Sequence, residues 1–304
     1  KEQEQLTQAG IIFAVLLVMI AVILTYNFIK ERKTKLLVQG LNSDLTSKNK
    51  NILDSINYAE KIQKAILPPK EMLDDMLGDT FLYFKPKDIV SGDFYWLRMW
   101  KDSIVVCVAD CTGHGVPGAF MSMLGFESLN QALHDLEDNV SPAKLLDQLN
   151  INIKLALSSY SDAEAIKDGM DVSLVQYFPE KKKLLFAGAG NPCYIIRNKE
   201  LHEIKGDIFP IGHYHERTDE MKFKEVEYEL KTNDSIYIFS DGYPDQFGGP
   251  RGKKLKYRAF KSLLTKLSNE NMEHQSEMIS KHMDDWRGNE EQIDDMCIIA
   301  FKAK

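Results

Sequence analysis

The chain has 304 residues, 44% hydrophobic and 27% charged, which supplies apolar material for one large or two modest globular units with a full core. A formal net charge of −7 argues against a nucleic-acid-binding surface, since phosphate contacts want a basic face, and fits a site that receives cations. The four cysteines, Cys107, Cys111, Cys193 and Cys297, stand singly without a CxxC pair, which excludes a disulfide framework and a zinc knuckle and points to reduced cytoplasmic thiols. The chain begins at Lys1 and not at Met, which points to a piece of something longer with a further domain upstream.

Residues 1–10 are a polar tail. Residues 11–29 form a nearly unbroken apolar run without a charge, and about 20 such residues suffice for a helix to cross the hydrocarbon layer. A signal peptide or a buried core helix is also apolar, but the polar Lys1 to Gln8 lead and the basic flank Lys30-Glu31-Arg32-Lys33-Thr34-Lys35 suit neither. An excess of Lys and Arg after the span keeps that side in the cytoplasm. Residues 11–29 are therefore expected as a single transmembrane helix, with the tail outside and everything from residue 30 inside.

Residues 30–67 read as a linker or signalling helix. From Leu36 to Leu67, the residues Leu45, Ile52, Ala59 and Ile66 recur every seven positions, with Leu41 and Ile62 at companion positions and Lys48 and Ser55 interrupting the seam. The pattern fits a short parallel coiled coil, hence a homodimer, and equally an amphipathic helix packed on the domain that follows. Pro68-Pro69 ends it, which sets the domain boundary and leaves residues 68–304 as the catalytic domain.

Within that domain, strands are expected at Phe81 to Phe84, Phe94 to Met99, Ile104 to Ala109, Val172 to Phe178, Lys183 to Ala187 and Cys193 to Arg197. Further strands are expected at Lys224 to Leu230, Ser235 to Phe239 and Met296 to Phe301. Helices are expected at Ala119 to Leu136, Pro142 to Ser159, Arg258 to Leu267 and Asn271 to Trp286, and a flexible loop over residues 248–254. Strands joined by short turns with long helices inserted indicate an α+β fold of antiparallel sheets with helices outside.

Several strands share one design at their ends. Ser91-Gly92-Asp93-Phe94-Tyr95 sets an acid before an aromatic strand, Val108-Ala109-Asp110 ends a strand on an acid, Phe239-Ser240-Asp241-Gly242 does the same, and Asp294-Asp295 opens the last strand. After Asp110 come glycines at 113, 115 and 118 around His114, which let backbone approach a ligand. Any single such Asp reads well as a turn former. Together they suggest a centre for hard divalent cations, Mg²⁺ or Mn²⁺, because buried carboxylates need their charge offset and no soft ligands accompany them.

These segments, with Gly169-Met170-Asp171-Val172-Ser173 and Ala187-Gly188-Ala189-Gly190-Asn191-Pro192 between them, resemble in order the metal-dependent type 2C serine/threonine protein phosphatases. The likeness is to the bacterial branch of the sporulation stage II E phosphatase and the sigma-factor regulators, and it covers roughly Leu67 to Lys302. It implies an α-β-β-α sandwich of two packed antiparallel sheets, here preceded by a transmembrane helix and a linker helix, in a bacterial cytoplasmic membrane. It further implies two Mn²⁺ or Mg²⁺ ions held by Asp93, Asp110, Asp241 and Asp294 with the backbone carbonyl of Cys111, and no covalent phosphoenzyme. Asp295 would support the ligands; Asp171, which begins an apolar strand, is structural or supports a ligand, and Asp168 is a candidate for a weaker third ion. His114 is a candidate general acid or a turn-holding residue, and no counterpart of the family's phosphate-gripping arginine stands out. The other histidines, His134, His202, His213, His215, His274 and His282, show no metal-ligand spacing. The implied substrate is a phosphorylated regulatory protein such as an anti-sigma-factor antagonist. A catalytically inactive signalling module of the same fold is the alternative reading.

Overall fold

Strand period dictates the layering. Along the closing strand, Cys297, Ile299 and Phe301 join one hydrophobic cluster while Met296, Ile298 and Ala300 join another, because successive side chains on a strand point to opposite faces. Ile236 and Ile238 likewise part from Tyr237 and Phe239. The sheet that carries them must be covered on both sides.

The structure is a computed structural model describing residues 2–137, 139–157, 168–212 and 222–304. Ser159, His213 and His215 lie outside the described residues. The chain divides into one unit ending at Asn57 and a second running Tyr58–Lys304. Residues of the first unit lie within helix α1 (Glu2–Ile66). Its side chains from Ile11 to Ile29 are exposed, and the stretch is long and apolar enough to cross a membrane by length and composition.

The second unit takes in the last turns of α1, then α2 (Lys70–Leu77), β1 (Thr80–Lys85), β2 (Phe94–Trp100), β3 (Ser103–Cys111), α3 (Gly115–Asp135) and α4 (Pro142–Leu157). It continues through β4 (Met170–Phe178), β5 (Lys183–Ala189), β6 (Cys193–Arg197), β7 (Glu200–Ile204), β8 (Val226–Glu229) and β9 (Ser235–Phe239). The chain closes with α5 (Gly242–Asp245), β10 (Phe247–Gly248), β11 (Lys253–Lys254), α6 (Lys256–Leu267), α7 (Met272–Arg287) and β12 (Met296–Lys302). One antiparallel sheet has the order β1-β12-β9-β6-β7 and the other β2-β3-β4-β5-β8. Between them Tyr177 meets Phe301 with ring centroids 5.2 Å apart. Helices α3 and α4 cover the second sheet, where Phe126 lies edge-on to Phe94, and α6 and α7 cover the first, where Phe260 lies edge-on to Phe239. The expected α-β-β-α sandwich is present. The run from Ile104 to Ala109 is apolar without alternation because this central strand is buried on both faces.

The differences from the sequence reading have local causes. Strand β3 continues through Asp110 and does not stop there, because Asp110 pairs with Asp171 and Cys111 with Met170. Helix α3 starts at Gly115, ahead of the apolar run, with Pro117 in its first turn, where a missing N–H costs nothing. Helix α2 forms directly after Pro69, whose extended backbone caps it, and buries Leu73 and Leu77. The polar edge strand β7 gives no apolar signal, and part of the loop over 248–254 pairs as the β10–β11 hairpin. The strand expected at Lys224 to Leu230 shrinks to β8.

Because Ile299 is fully buried on the inter-sheet face, Ile299→Ala should lower unfolding free energy by about 2–5 kcal/mol. Chemical denaturation of the full chain reads this directly, and an unchanged midpoint would contradict the layering.

Candidate metal centre

Five strand ends meet at one edge of the sandwich. β2 and β4 begin there, β3 and β9 end there, and β12 begins there, so the acids flanking these strands are brought together by topology. Asp93 is 2% exposed, and its Oδ2 accepts a hydrogen bond from Ser240 Oγ at 2.5 Å. Asp110 Oδ2 accepts from the backbone N–H of Asp241 at 3.3 Å, tying the end of β3 to the residue after Ser240. Asp294 accepts through Oδ1 from the N–H of Asp295 at 2.9 Å. Close backbone packing makes this possible: a Cβ on Gly92 or on Gly118 would strike the Gly113 carbonyl, and one on Gly92 would also come within 3.4 Å of the Cys111 carbonyl oxygen. The Asp93 loop, the turn after β3 and that carbonyl therefore share one place. Gly242 serves the same purpose on the other side, where a Cβ would run into the carbonyl of Asp295.

The charge state of the cluster follows from its geometry. Burial pushes the Asp93 carboxyl well above the ordinary carboxylate range, and Asp295, Asp294 and Asp241 push it further, against the opposing Ser240 hydrogen bond. Burial, then Asp93 and Asp241, raise Asp110 in the same way. Asp241 is raised by burial, then by Asp245 and Asp294. Asp171 is lifted to about 6 by burial and Asp241. Such mutual raising is what several carboxylates do when brought together without a cation. Burial pushes the Cys111 thiol well above its ordinary value, with Asp110 and Asp93 adding to this, so the thiol stays protonated and the donors are all oxygen. An all-oxygen, carboxylate-rich set fits Mg²⁺ or Mn²⁺ and not zinc. Among the described residues no group of three His, Cys, Asp or Glu side chains is already drawn in to ligating geometry.

Asp295 does a different job. Its Oδ1 accepts from the N–H of Lys87 and its Oδ2 from the N–H of Gly92, both at 2.7 Å, so both oxygens are spent holding the loop in front of Asp93. His114 precedes α3 and is half exposed. Lys87 Nζ donates to its Nε2 at 2.8 Å, and since a lysine ammonium has only donors, Nδ1–H then donates to Asp88 Oδ2 at 2.7 Å. Asp168 accepts from the Thr112 hydroxyl at 3.2 Å, beside the cluster and outside its hydrogen-bonded core. The sequence reading passed over Ser240, Lys87 and Asp88. Ser240 had a signal, a lone hydroxyl between an apolar strand and Asp241, whereas the Lys87–His114–Asp88 contacts are made only by folding.

The class of protein follows from the sandwich: two antiparallel sheets between helices are the architecture this chain shares with PP2C-type phosphatase domains. A family model described as Stage II sporulation protein E (SpoIIE) matches residues 101–304, and the chain belongs to that family. The chain is similar to the phosphoserine phosphatase RsbU of Bacillus subtilis (strain 168), 26% identical over 204 residues, which are 63% of this chain and 53% of that protein. It thus spans about half the length of the curated relative it matches. The SiaA PP2C domain of Pseudomonas aeruginosa is 33% identical with a TM-score of 0.76, the match covering 84% of this chain and 98% of that one. The PP2C phosphatase domain of SpoIIE from Bacillus subtilis, solved with a fragment of its regulatory domain, shares the fold at 21% identity and a TM-score of 0.56, covering 73% of this chain and 61% of that one.

A carboxyl raised on folding contributes stability that is full below the ordinary carboxylate value of about 4 and is lost as pH rises through its raised value. In chelator, the unfolding temperature of the full chain should therefore fall more steeply as pH rises above about 4 than that of Asp110→Asn, which lacks one of the raised carboxyls. Thermal melts across pH check this, and equal slopes for the two chains would contradict the mutual-repulsion account.

Proposed function

We propose that the chain is a membrane-tethered protein phosphatase that removes phosphate from phosphoserine or phosphothreonine on a regulatory protein, with its folded domain in the cytoplasm. The observation that carries this reading is the gathering of Asp93, Asp110, Asp241 and Asp294 at one edge of a SpoIIE-family domain. These four carboxylates, with the Cys111 carbonyl, would hold two Mn²⁺ or Mg²⁺ ions. Bound there, the ions would supply the Lewis acidity that makes water a nucleophile near neutral pH and offsets the charge on phosphate.

The chain's own groups do the remaining work. Ser240 orients Asp93 through its hydroxyl, the N–H of Asp241 orients Asp110, and Asp295 fixes the Asp93 loop through two backbone N–H groups. His114, held at both ring nitrogens by Lys87 and Asp88, supports the turn between β3 and α3. Tethering rests on residues 11–29, which meet the length and composition of a membrane span. The substrate class, a phosphorylated regulator such as an anti-sigma-factor antagonist, is supported by likeness to a phosphoserine phosphatase. Leu41, Leu45 and Ile52 are exposed on α1, as a seam that pairs with a second copy of the chain would be.

The full chain in detergent should release phosphate from a phosphoserine peptide with Mn²⁺ and not with chelator. Asp110→Asn and Asp241→Asn should reduce release to background while Cys111→Ala retains it; release that survives both Asp substitutions would refute the centre. Loss of general acid catalysis costs about 10²–10⁴-fold, so His114→Ala should fall short of that range, and a loss within it would make His114 the proton donor. Replacing Ile52 and Ala59 together with lysine should shift sedimentation of the chain from dimer to monomer, and an unshifted profile would remove the seam.

A further inference from the structure

Gln63 is the one buried side chain of α1 among the described residues, only 4% exposed. Its Nε2 donates to the Ser91 carbonyl oxygen at 2.6 Å and to the Ser122 hydroxyl at 2.8 Å, while its Oε1 accepts from the Ser91 N–H at 3.0 Å. Ser122 Oγ in turn lies 3.1 Å from the same Ser91 carbonyl oxygen. One amide thus satisfies both main-chain groups of one residue, Ser91, two positions before Asp93. Burying an amide costs free energy unless its hydrogen bonds are made, and here the amide nitrogen and oxygen both make them.

The tripeptide Ser91-Gly92-Asp93 is consequently held at each residue by a different part of the domain: Ser91 by Gln63, Gly92 by Asp295 and Asp93 by Ser240. Asp93 is also the only one of the four proposed metal-binding carboxylates that is fully buried, at 2% exposure. We propose that Gln63 is a positioning residue for metal binding: its amide sets the Ser91–Asp93 main chain so that Asp93 faces Asp110, Asp241 and Asp294. This rests on the metal-phosphatase reading above and adds to it a side chain outside the acidic cluster that places one of its ligands.

The test is calorimetric titration of Mn²⁺ into the full chain in detergent, with Gln63→Met, Gln63→Glu and Ser122→Ala, each alone and combined with Asp93→Asn. Outer groups that orient a metal ligand typically change affinity by about 10–100-fold. Gln63→Met, which keeps bulk and loses the hydrogen bonds, is expected to weaken Mn²⁺ binding by about tenfold or more on that scale. Gln63→Glu, which keeps only the acceptor, should do likewise, and Ser122→Ala should weaken it less. In the Asp93→Asn background these changes should vanish, a coupling that a purely structural role would not produce. Mn²⁺ affinity equal to wild type in a folded Gln63→Met chain overturns the inference, as does an equal loss with and without Asp93, or a wild-type chain that binds no Mn²⁺. If Gln63→Met does not fold by circular dichroism, Gln63→Glu and Ser122→Ala decide by the same criteria. Phosphate release is recorded alongside: a wild-type chain that binds Mn²⁺ tightly but hydrolyses no phosphopeptide sinks the phosphatase reading and leaves the Gln63 inference standing.

Discussion

Mutual repulsion among carboxylates is the constraint on which this domain turns. Asp93, Asp110 and Asp241 stand near one another at low solvent exposure, with Asp294 and Asp295 adjoining, and burial and like charge lift their proton affinities. Left alone, such a cluster favours protonation or spreading apart, and both lower its charge density. Divalent cations reverse the balance, so the same residues that weaken the domain without metal would draw together around it. The cluster is a poor choice for stability and a good one for binding hard cations.

A cluster of acids keeps its geometry only where its surroundings hold it. The two sheets supply coarse placement, since antiparallel pairing puts the relevant ends of β2, β3, β4, β9 and β12 at one edge. Fine placement comes from polar side chains that spend their hydrogen bonds on main chain. Asp295 grips Lys87 and Gly92, Gln63 grips Ser91, and Ser240 reaches Asp93 while accepting from the N–H of Cys297 at 2.9 Å. Glycines at 92, 118 and 242 let the backbones approach closely enough for these bonds to form. Stability and chemistry meet here in the same few residues.

Much of this was legible in the sequence, for reasons that can be named. The sheet core was readable because Cys297, Ile299 and Phe301 alternate with Met296, Ile298 and Ala300, and because a doubly buried strand such as β3 is apolar throughout. The acids were readable because each sits beside such a strand, where an unpaired carboxylate needs a reason. What stayed hidden was created by tertiary contact. Gln63 falls in a stretch whose apolar spacing suits a coiled coil as well as a packed helix, and nothing in that spacing shows a polar side chain turned inward onto Ser91. The engagement of His114 with Lys87 and Asp88 spans more than a score of residues, with Gly115 so close to Asp88 that a Cβ there would come within 3.1 Å of its carboxylate. Edge strand β7 and the β10–β11 hairpin are held by pairing with their neighbours and carry little apolar pattern of their own.

The central claim is that these acids form one centre for divalent metal. Anomalous diffraction at the manganese edge, from crystals of the protein grown with Mn²⁺, tests it most directly. The account predicts strong peaks enclosed by Asp93, Asp110, Asp241 and Asp294, with the Cys111 carbonyl turned toward them and Asp295 still bonded to Lys87 and Gly92. Manganese found only on scattered surface carboxylates, with these four acids unliganded, would contradict it.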